Sequence, residues 1–200
     1  MTLDLLSQFQ SHINELAALK RNHYFPGRGG KEDDISHSFT VAILAWQLNE
    51  SSDANLRTDR LLQYALLHDF VEVYAGDVNT FASPQARAQK EIDEQASLER
   101  LKTEYRDAPS FVTTLEAYQA QQDEEARFVW GCDKMQALIQ GRLDAWRCYY
   151  ELSITNEQFR AKIDEQYQRM HPALREEYDK LAAACVASYH YTAPLSVARK

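Results

Sequence analysis

ALLHDFVEVYAGDV, residues 65–78, is the stretch on which the reading of the whole chain turns. Drawn as a helix, Ala65, Leu66, Leu67, Phe70, Val71, Val73 and Tyr74 cover nearly its whole circumference. A helix that is apolar all round is a buried helix. Yet the same stretch carries His68, Asp69, Glu72 and Asp77. An unpaired charge loses several kcal/mol or more when it leaves water, so these groups need partners from elsewhere in the chain.

Two other apolar helices are interrupted in the same way. His37 stands near the start of ISHSFTVAILAW, and Asp133, with Lys134 beside it, breaks FVWGCDKMQALI. Each has a bland explanation. A lone histidine on an apolar face is more often a satisfied core residue than a ligand. Asp133 could be a buried cap or half an ion pair, and His68 and Asp69 could bond to nearby backbone. Taken together, the intrusions answer one another: two imidazoles and two carboxylates form a four-ligand site for a divalent metal. Mixed nitrogen and oxygen donors suit Mn²⁺, Co²⁺, Fe²⁺, Ni²⁺ or Zn²⁺ better than Ca²⁺. Octahedral geometry would leave positions open for water or a substrate oxygen, and a metal makes bound water a usable nucleophile near neutral pH.

Glu72 follows His68 by one helical turn and projects from the same side, where it could orient or deprotonate that water. Asp77 follows Gly76 where the helix should end, and could face the site from another direction to protonate a leaving oxygen. Two carboxylates in different surroundings can divide base and acid roles. The competing readings are a helix-surface acid for Glu72 and a cap of the next turn for Asp77.

The totals are those of an ordinary soluble globular protein: 200 residues, 44% hydrophobic and 26% charged. A formal charge of −8 argues against a nucleic-acid polymer as partner, while a small phosphorylated ligand needs only a local basic pocket. Cys132, Cys148 and Cys185 are odd in number and far apart, which favours a reducing compartment over a disulfide framework. MTLDLLSQFQSHINEL has no signal-peptide core, and no run reaches membrane-spanning length. A cytoplasmic protein without membrane contact is expected.

Apolar spacings of three and four recur almost everywhere, so the expected fold is all-α, with residues 1–200 as one domain. Ser83-Pro84 reads as a cap and first helical residue leading a charged, solvated helix to about Tyr105. Phe128, Cys132, Met135, Ile139, Leu143 and Trp146 predict one long helix. Thr155 or Asn156 would cap another, and His171-Pro172 would kink or restart it. No period-two strand of useful length is visible. NHYFPGRGGKEDD, residues 22–34, is the one glycine-rich stretch, either a flexible loop or a phosphate-contacting lid using Arg28 or Lys31. It lacks the preceding strand and following Ser/Thr of a phosphate loop.

His37, His68-Asp69 and Asp133 resemble the H…HD…D signature of HD-domain metal-dependent phosphohydrolases. Glu three residues after the Asp, and Gly-Asp seven and eight residues after it, resemble the bacterial 5′-deoxynucleotidases of the YfbR type and their eukaryotic HD-domain relatives. The matching core runs from about residue 35 to 146, with C-terminal helices over 156–190 packing on it. The resemblance implies a helical bundle holding one divalent metal (Mn, Co, Ni, Fe or Zn) in its core through His37, His68, Asp69 and Asp133. It implies a homodimer that hydrolyses 2′-deoxynucleoside 5′-monophosphates, with Glu72 and Asp77 in water activation and proton transfer. That family carries an Arg-Trp pair shortly before the first metal histidine, holding phosphate and screening the sugar. Here Arg21 stands near that place without the Trp, Tyr24 and Phe25 being the nearest aromatics. Arg28 and Lys134 are the other candidate phosphate partners. The alternatives are hydrolysis of nucleoside triphosphates or alarmones, and a nucleotide sensor that keeps the metal without turnover. An HD-type nuclease is disfavoured by the acidic charge.

Overall fold

The computed structural model describes residues 2–27 and 29–191. Thr2 caps α1 (Leu3–Ala18), Asp33 caps α2 (Asp34–Glu50), Ser83 caps α5 (Pro84–Glu104), Asp123 caps α7 (Glu124–Leu143) and Thr155 caps α9 (Asn156–Arg169). In each case the side-chain oxygen accepts from the amide three residues on, an arrangement that stabilises a helix by about 1 kcal/mol. Between and after these lie α3 (Thr58–Leu67), α4 (Glu72–Ala75), α6 (Pro109–Ala120), α8 (Arg147–Glu151), a 3₁₀ turn over Pro172–Leu174, and α10 (Arg175–Ser188). The chain is therefore all-α, as its periodicity predicts, with one exception.

That exception is a strand pair the sequence reading does not contain. β1 (Lys20–Tyr24) and β2 (Lys31–Asp33) form an antiparallel ribbon pairing Lys20 with Asp33 and Tyr24 with Lys31. Phe25 donates to the Gly30 carbonyl at 2.9 Å, and Gly27 and Gly29 supply positive φ in the turn. The strands are short and polar, so no apolar alternation marks them. Lys31 faces the Tyr24 ring, 5.6 Å from its centroid, and is not among the residues lining the central cavity.

Two hydrophobic cores meet at the opening stretch. Val41, Ala45, Leu61, Ala65, Phe128 and Val129 belong to the larger one, built on α2, α3 and α7 and continued by the C-terminal helices. Leu5, Leu16, Phe70, Val71, Leu101 and Tyr105 belong to the second, built on α1, α5 and α6. Residues 65–75 are not one helix as expected. α3 stops at Leu67, and Phe70, Glu72, Val73 and Tyr74 donate to carbonyls three residues back. This tighter turn points Phe70 and Val71 into the second core and leaves His68 and Asp69 at the seam.

The long helix also ends sooner than its spacing suggests. α7 stops at Leu143, which is exposed, and Ala145 and Trp146 take positive φ so that the chain doubles back. Gly141 makes this return tight: a Cβ there would lie 2.7 Å from Tyr149 Cε2 and 3.1 Å from Trp146 Cε3. Gly141→Ala should gain about 1 kcal/mol of helix propensity but cost about 1–3 kcal/mol in overpacking against two buried rings. A net loss of stability in urea unfolding is expected; an unchanged or higher midpoint would contradict this packing.

Candidate metal centre

His37 sits in the first turn of α2 and is fully buried. Its Nδ1 lies 2.9 Å from Gln136 Oε1, and Gln136 Nε2 lies 2.8 Å from Glu32 Oε1. The Glu32 carboxylate accepts, so the Gln136 amide nitrogen faces it and the amide oxygen accepts from His37 Nδ1–H. That leaves the lone pair of His37 on Nε2. His68 reaches the same state by another route, since its Nδ1–H donates to the Ala65 carbonyl at 2.8 Å. Its Nε2 is buried and makes no hydrogen bond.

Both lone pairs face carboxylate oxygens. His37 Nε2 is 3.0 Å from Asp133 Oδ1 and 3.7 Å from Asp69 Oδ2, and His68 Nε2 is 3.1 Å from Asp69 Oδ2. Two electron pairs at that distance repel unless a proton or a cation lies between them. Burial, reinforced by Arg21, pushes the His37 pKa down to about 4, which disfavours the proton. For His68 burial also opposes the charge, but Asp69 and Asp133 outweigh it and raise the pKa. The donor set fits a divalent ion of borderline softness. One atom each of His37, His68 and Asp69 lie within 4.8 Å of one another. Asp133 stands outside that mutual set and approaches His37 alone, its other oxygen held by Lys134 Nζ at 2.6 Å.

The surrounding charges are arranged around one guanidinium. Arg21, on β1, places Nη1 2.7 Å from Asp69 Oδ2 and 3.3 Å from Asp34 Oδ1, with Nε 4.0 Å from Glu32 Oε2. Burial raises the Glu32 and Asp34 carboxyls to about 7 and about 6, with Arg21 opposing the rise. Glu72 is likewise raised, by burial and then by Asp69, although Lys90 Nζ sits 2.7 Å from its Oε1. Asp77 follows Gly76 at φ +74 and lines the same cavity of about 290 Å³ as Arg21, Asp69, Glu72, Asp133 and Lys134. Arg28 lies outside the described residues. Glu32, Asp34, Lys90 and Gln136 carry no role in the sequence reading. The first two sit in a charge run that looks solvated, and the others look like surface polar residues of helices.

Residues 13–181 match the model of the HD domain family. A 5′-deoxynucleotidase of Enterobacter is 25% identical over 195 residues, covering 92% of each chain. The 5′-deoxynucleotidase YfbR of Escherichia coli is 24% identical over 196 residues, with 92% of each covered. Among solved structures, one from Magnetospirillum magnetotacticum, described as a predicted metal-dependent phosphohydrolase, superposes with a TM-score of 0.77. It is 24% identical and covers 93% of both chains, a likeness of fold.

Two outcomes follow from this geometry. Calorimetry on chelator-stripped protein should find one tight divalent-metal site, and Gln136→Leu should weaken it about 10–100-fold by freeing the His37 ring. Equal affinity in the variant would sink the tautomer argument. The second concerns His23, whose pKa burial, Arg21 and His37 press down to about 3. Such a ring stays neutral when folded but protonates near 6.5 when unfolded, so its stabilisation is present above 6.5 and lost as pH falls. Between roughly pH 6 and 4, wild-type stability should fall more steeply than that of His23→Gln, by about 1.4 kcal/mol per pH unit. Parallel urea-midpoint curves would contradict it.

Proposed function

We propose a hydrolytic function for this chain, which belongs to the HD-domain family of metal-dependent phosphohydrolases: release of phosphate from 2′-deoxynucleoside 5′-monophosphates. In this reading residues 1–200 are one HD domain, and His37, His68, Asp69 and Asp133 hold one divalent ion. The pair of imidazole lone pairs aimed at carboxylate oxygens is the observation that carries it. A bound ion would supply Lewis-acid polarisation of a phosphoryl oxygen and lower the pKa of water.

The chain's own groups do the rest. Arg21, held by Asp69 at the cavity wall, meets the incoming phosphate as the kind of fixed positive charge that stabilises a phosphoryl transition state. Lys134 is a second cation beside it, and Arg28 remains a further candidate. Glu72 takes a proton from the attacking water, a role helped by a pKa raised out of the ordinary carboxylate range. Asp77, entering from beyond the Gly76 turn, gives a proton to the leaving 5′ oxygen. The curated relatives named 5′-deoxynucleotidase support the substrate class. Three free buried thiols support a reducing, cytoplasmic setting. The exposed stripe Phe39, Ile43 and Trp46 on α2 supports a homodimer.

Phosphate release from deoxynucleoside and ribonucleoside 5′-monophosphates, with Mn²⁺, Co²⁺, Ni²⁺, Zn²⁺ or Mg²⁺ restored to stripped protein, tests the reading. Release should require metal, favour the deoxynucleotides, and vanish in Asp69→Ala. Arg21→Ala should lower kcat about a hundredfold or more. Silence on monophosphates with turnover of triphosphates or alarmones would replace the substrate class. Silence on all of them, with metal still bound, would favour a sensor.

A further inference from the structure

The cavity beside Arg21 and the carboxylates does not stay polar. Between α7, α8, α9 and the loop after Asp77 its lining becomes Phe81, Leu138, Tyr149, Phe159 and Ile163. Phe81 and Tyr149 meet edge to face, with centroids 5.6 Å apart and planes at 75°. Both rings are held from behind. Asn79 accepts from the Phe81 amide at 2.8 Å and its carbonyl accepts from Ala82 at 2.9 Å, fixing the loop that presents Phe81. Tyr149 packs on the bare Cα of Gly141 and edge-on to Trp146 and Phe159.

Polar groups also reach this wall, among them Thr80, Lys162 and Gln166. Gln166 of α9 is buried, and its Oε1 accepts from the Tyr178 hydroxyl at 2.8 Å. The same hydroxyl lies 3.1 Å from the Ile163 carbonyl, and among the described residues no hydrogen bond reaches the other end of the Gln166 amide. Aromatic walls beside a buried amide with one end unbonded match a flat ring that offers a π face and a polar edge. A bare sugar has no such face.

We propose that this chamber is the leaving-group subsite, taking the heteroaromatic base of a nucleoside against Phe81 and Tyr149, with the unbonded end of the Gln166 amide hydrogen-bonding to the edge of the base. This rests on reading the adjoining centre as a phosphomonoesterase site. Helix α9, to which the sequence motifs assign nothing, thereby becomes part of the substrate site.

The test pairs binding with turnover on the intact, metal-loaded protein. Thymidine and 2-deoxyribose are titrated by calorimetry. Thymidine 5′-monophosphate and 2-deoxyribose 5-phosphate, which differ only by the base, are compared as substrates. The variants are Phe81→Ala, Phe81→Leu and Gln166→Leu, each checked by thermal melting; Phe81→Leu keeps apolar volume and decides the matter where the alanine variant does not fold. Expected are thymidine binding without 2-deoxyribose binding, and about tenfold weaker thymidine binding on loss of the Phe81 ring. The preference in kcat/KM for the nucleotide over the sugar phosphate should fall alongside, with KM carrying the loss. Gln166→Leu should lower the same preference several-fold. Metal-dependent phosphate release with no preference for the base, or one indifferent to Phe81 and Gln166, overturns the subsite and leaves the hydrolytic reading standing. Phe81-dependent thymidine binding without release from either phosphate keeps the subsite and overturns the hydrolytic reading. Neither binding nor release overturns both.

Discussion

His68 gives its Nδ1–H to the Ala65 carbonyl, and His37 gives its own to Gln136, which Glu32 holds from the other side. With those hydrogens committed, each neutral ring presents its lone pair at Nε2, and both Nε2 atoms face carboxylate oxygens at about hydrogen-bond distance. With both rings neutral the arrangement is unfavourable, and a cation between the nitrogens and the carboxylates makes it favourable. Glu32 and Gln136 therefore act on the centre without facing it, by fixing one ring's tautomer and angle. Loss of an outer partner of this kind typically costs about 10–100-fold in metal affinity.

The backbone works to keep these groups together in a dry place. The tight turn after Leu67 sends Phe70 and Val71 into one core while Ala65 stays in the other, so His68 and Asp69 lie where two apolar bodies meet. The β ribbon brings Arg21 across from Glu32 and close to Asp34 and Asp69. Burial raises the pKa values of Glu32, Asp34 and Glu72, and the one guanidinium shared among Glu32, Asp34 and Asp69 only partly opposes it. A divalent ion would oppose it further. A fold optimised only for stability would not gather so many buried acids; violations of this sort mark sites retained for function.

The sequence discloses the centre because the intruding residues are conspicuous against apolar helices. His37, His68, Asp69 and Asp133 each break a greasy run, and Glu72 and Asp77 follow at readable spacings. What it hides is hidden for a physical reason. Glu32 and Asp34 belong to KEDD, a string that looks like solvated charge until Arg21 folds across it. Lys90 sits on a helix whose polar residues are mostly exposed and Gln136 on one that mixes buried and exposed polar residues, and only tertiary packing shows which are which. The ribbon is too short and polar for a period-two pattern. The two overextended helices fail alike: the 65–75 pattern is apolar through a turn, and the α7 pattern runs on to Trp146 although Gly141 lets that ring fold back. Periodicity registers which residues are buried, and it cannot distinguish a straight helix from a chain that reverses into the same core.

The most direct measurement is a crystal of the protein grown with Zn²⁺ and examined by anomalous scattering at the zinc edge. The account predicts one ion bonded to Nε2 of both His37 and His68, at about 2.0–2.1 Å, with Asp69 and Asp133 completing the set. An ion seated instead among Asp34, Asp69 and Glu72, the other acidic donors that converge here, would contradict it. So would Nε2 atoms that hold no metal at all.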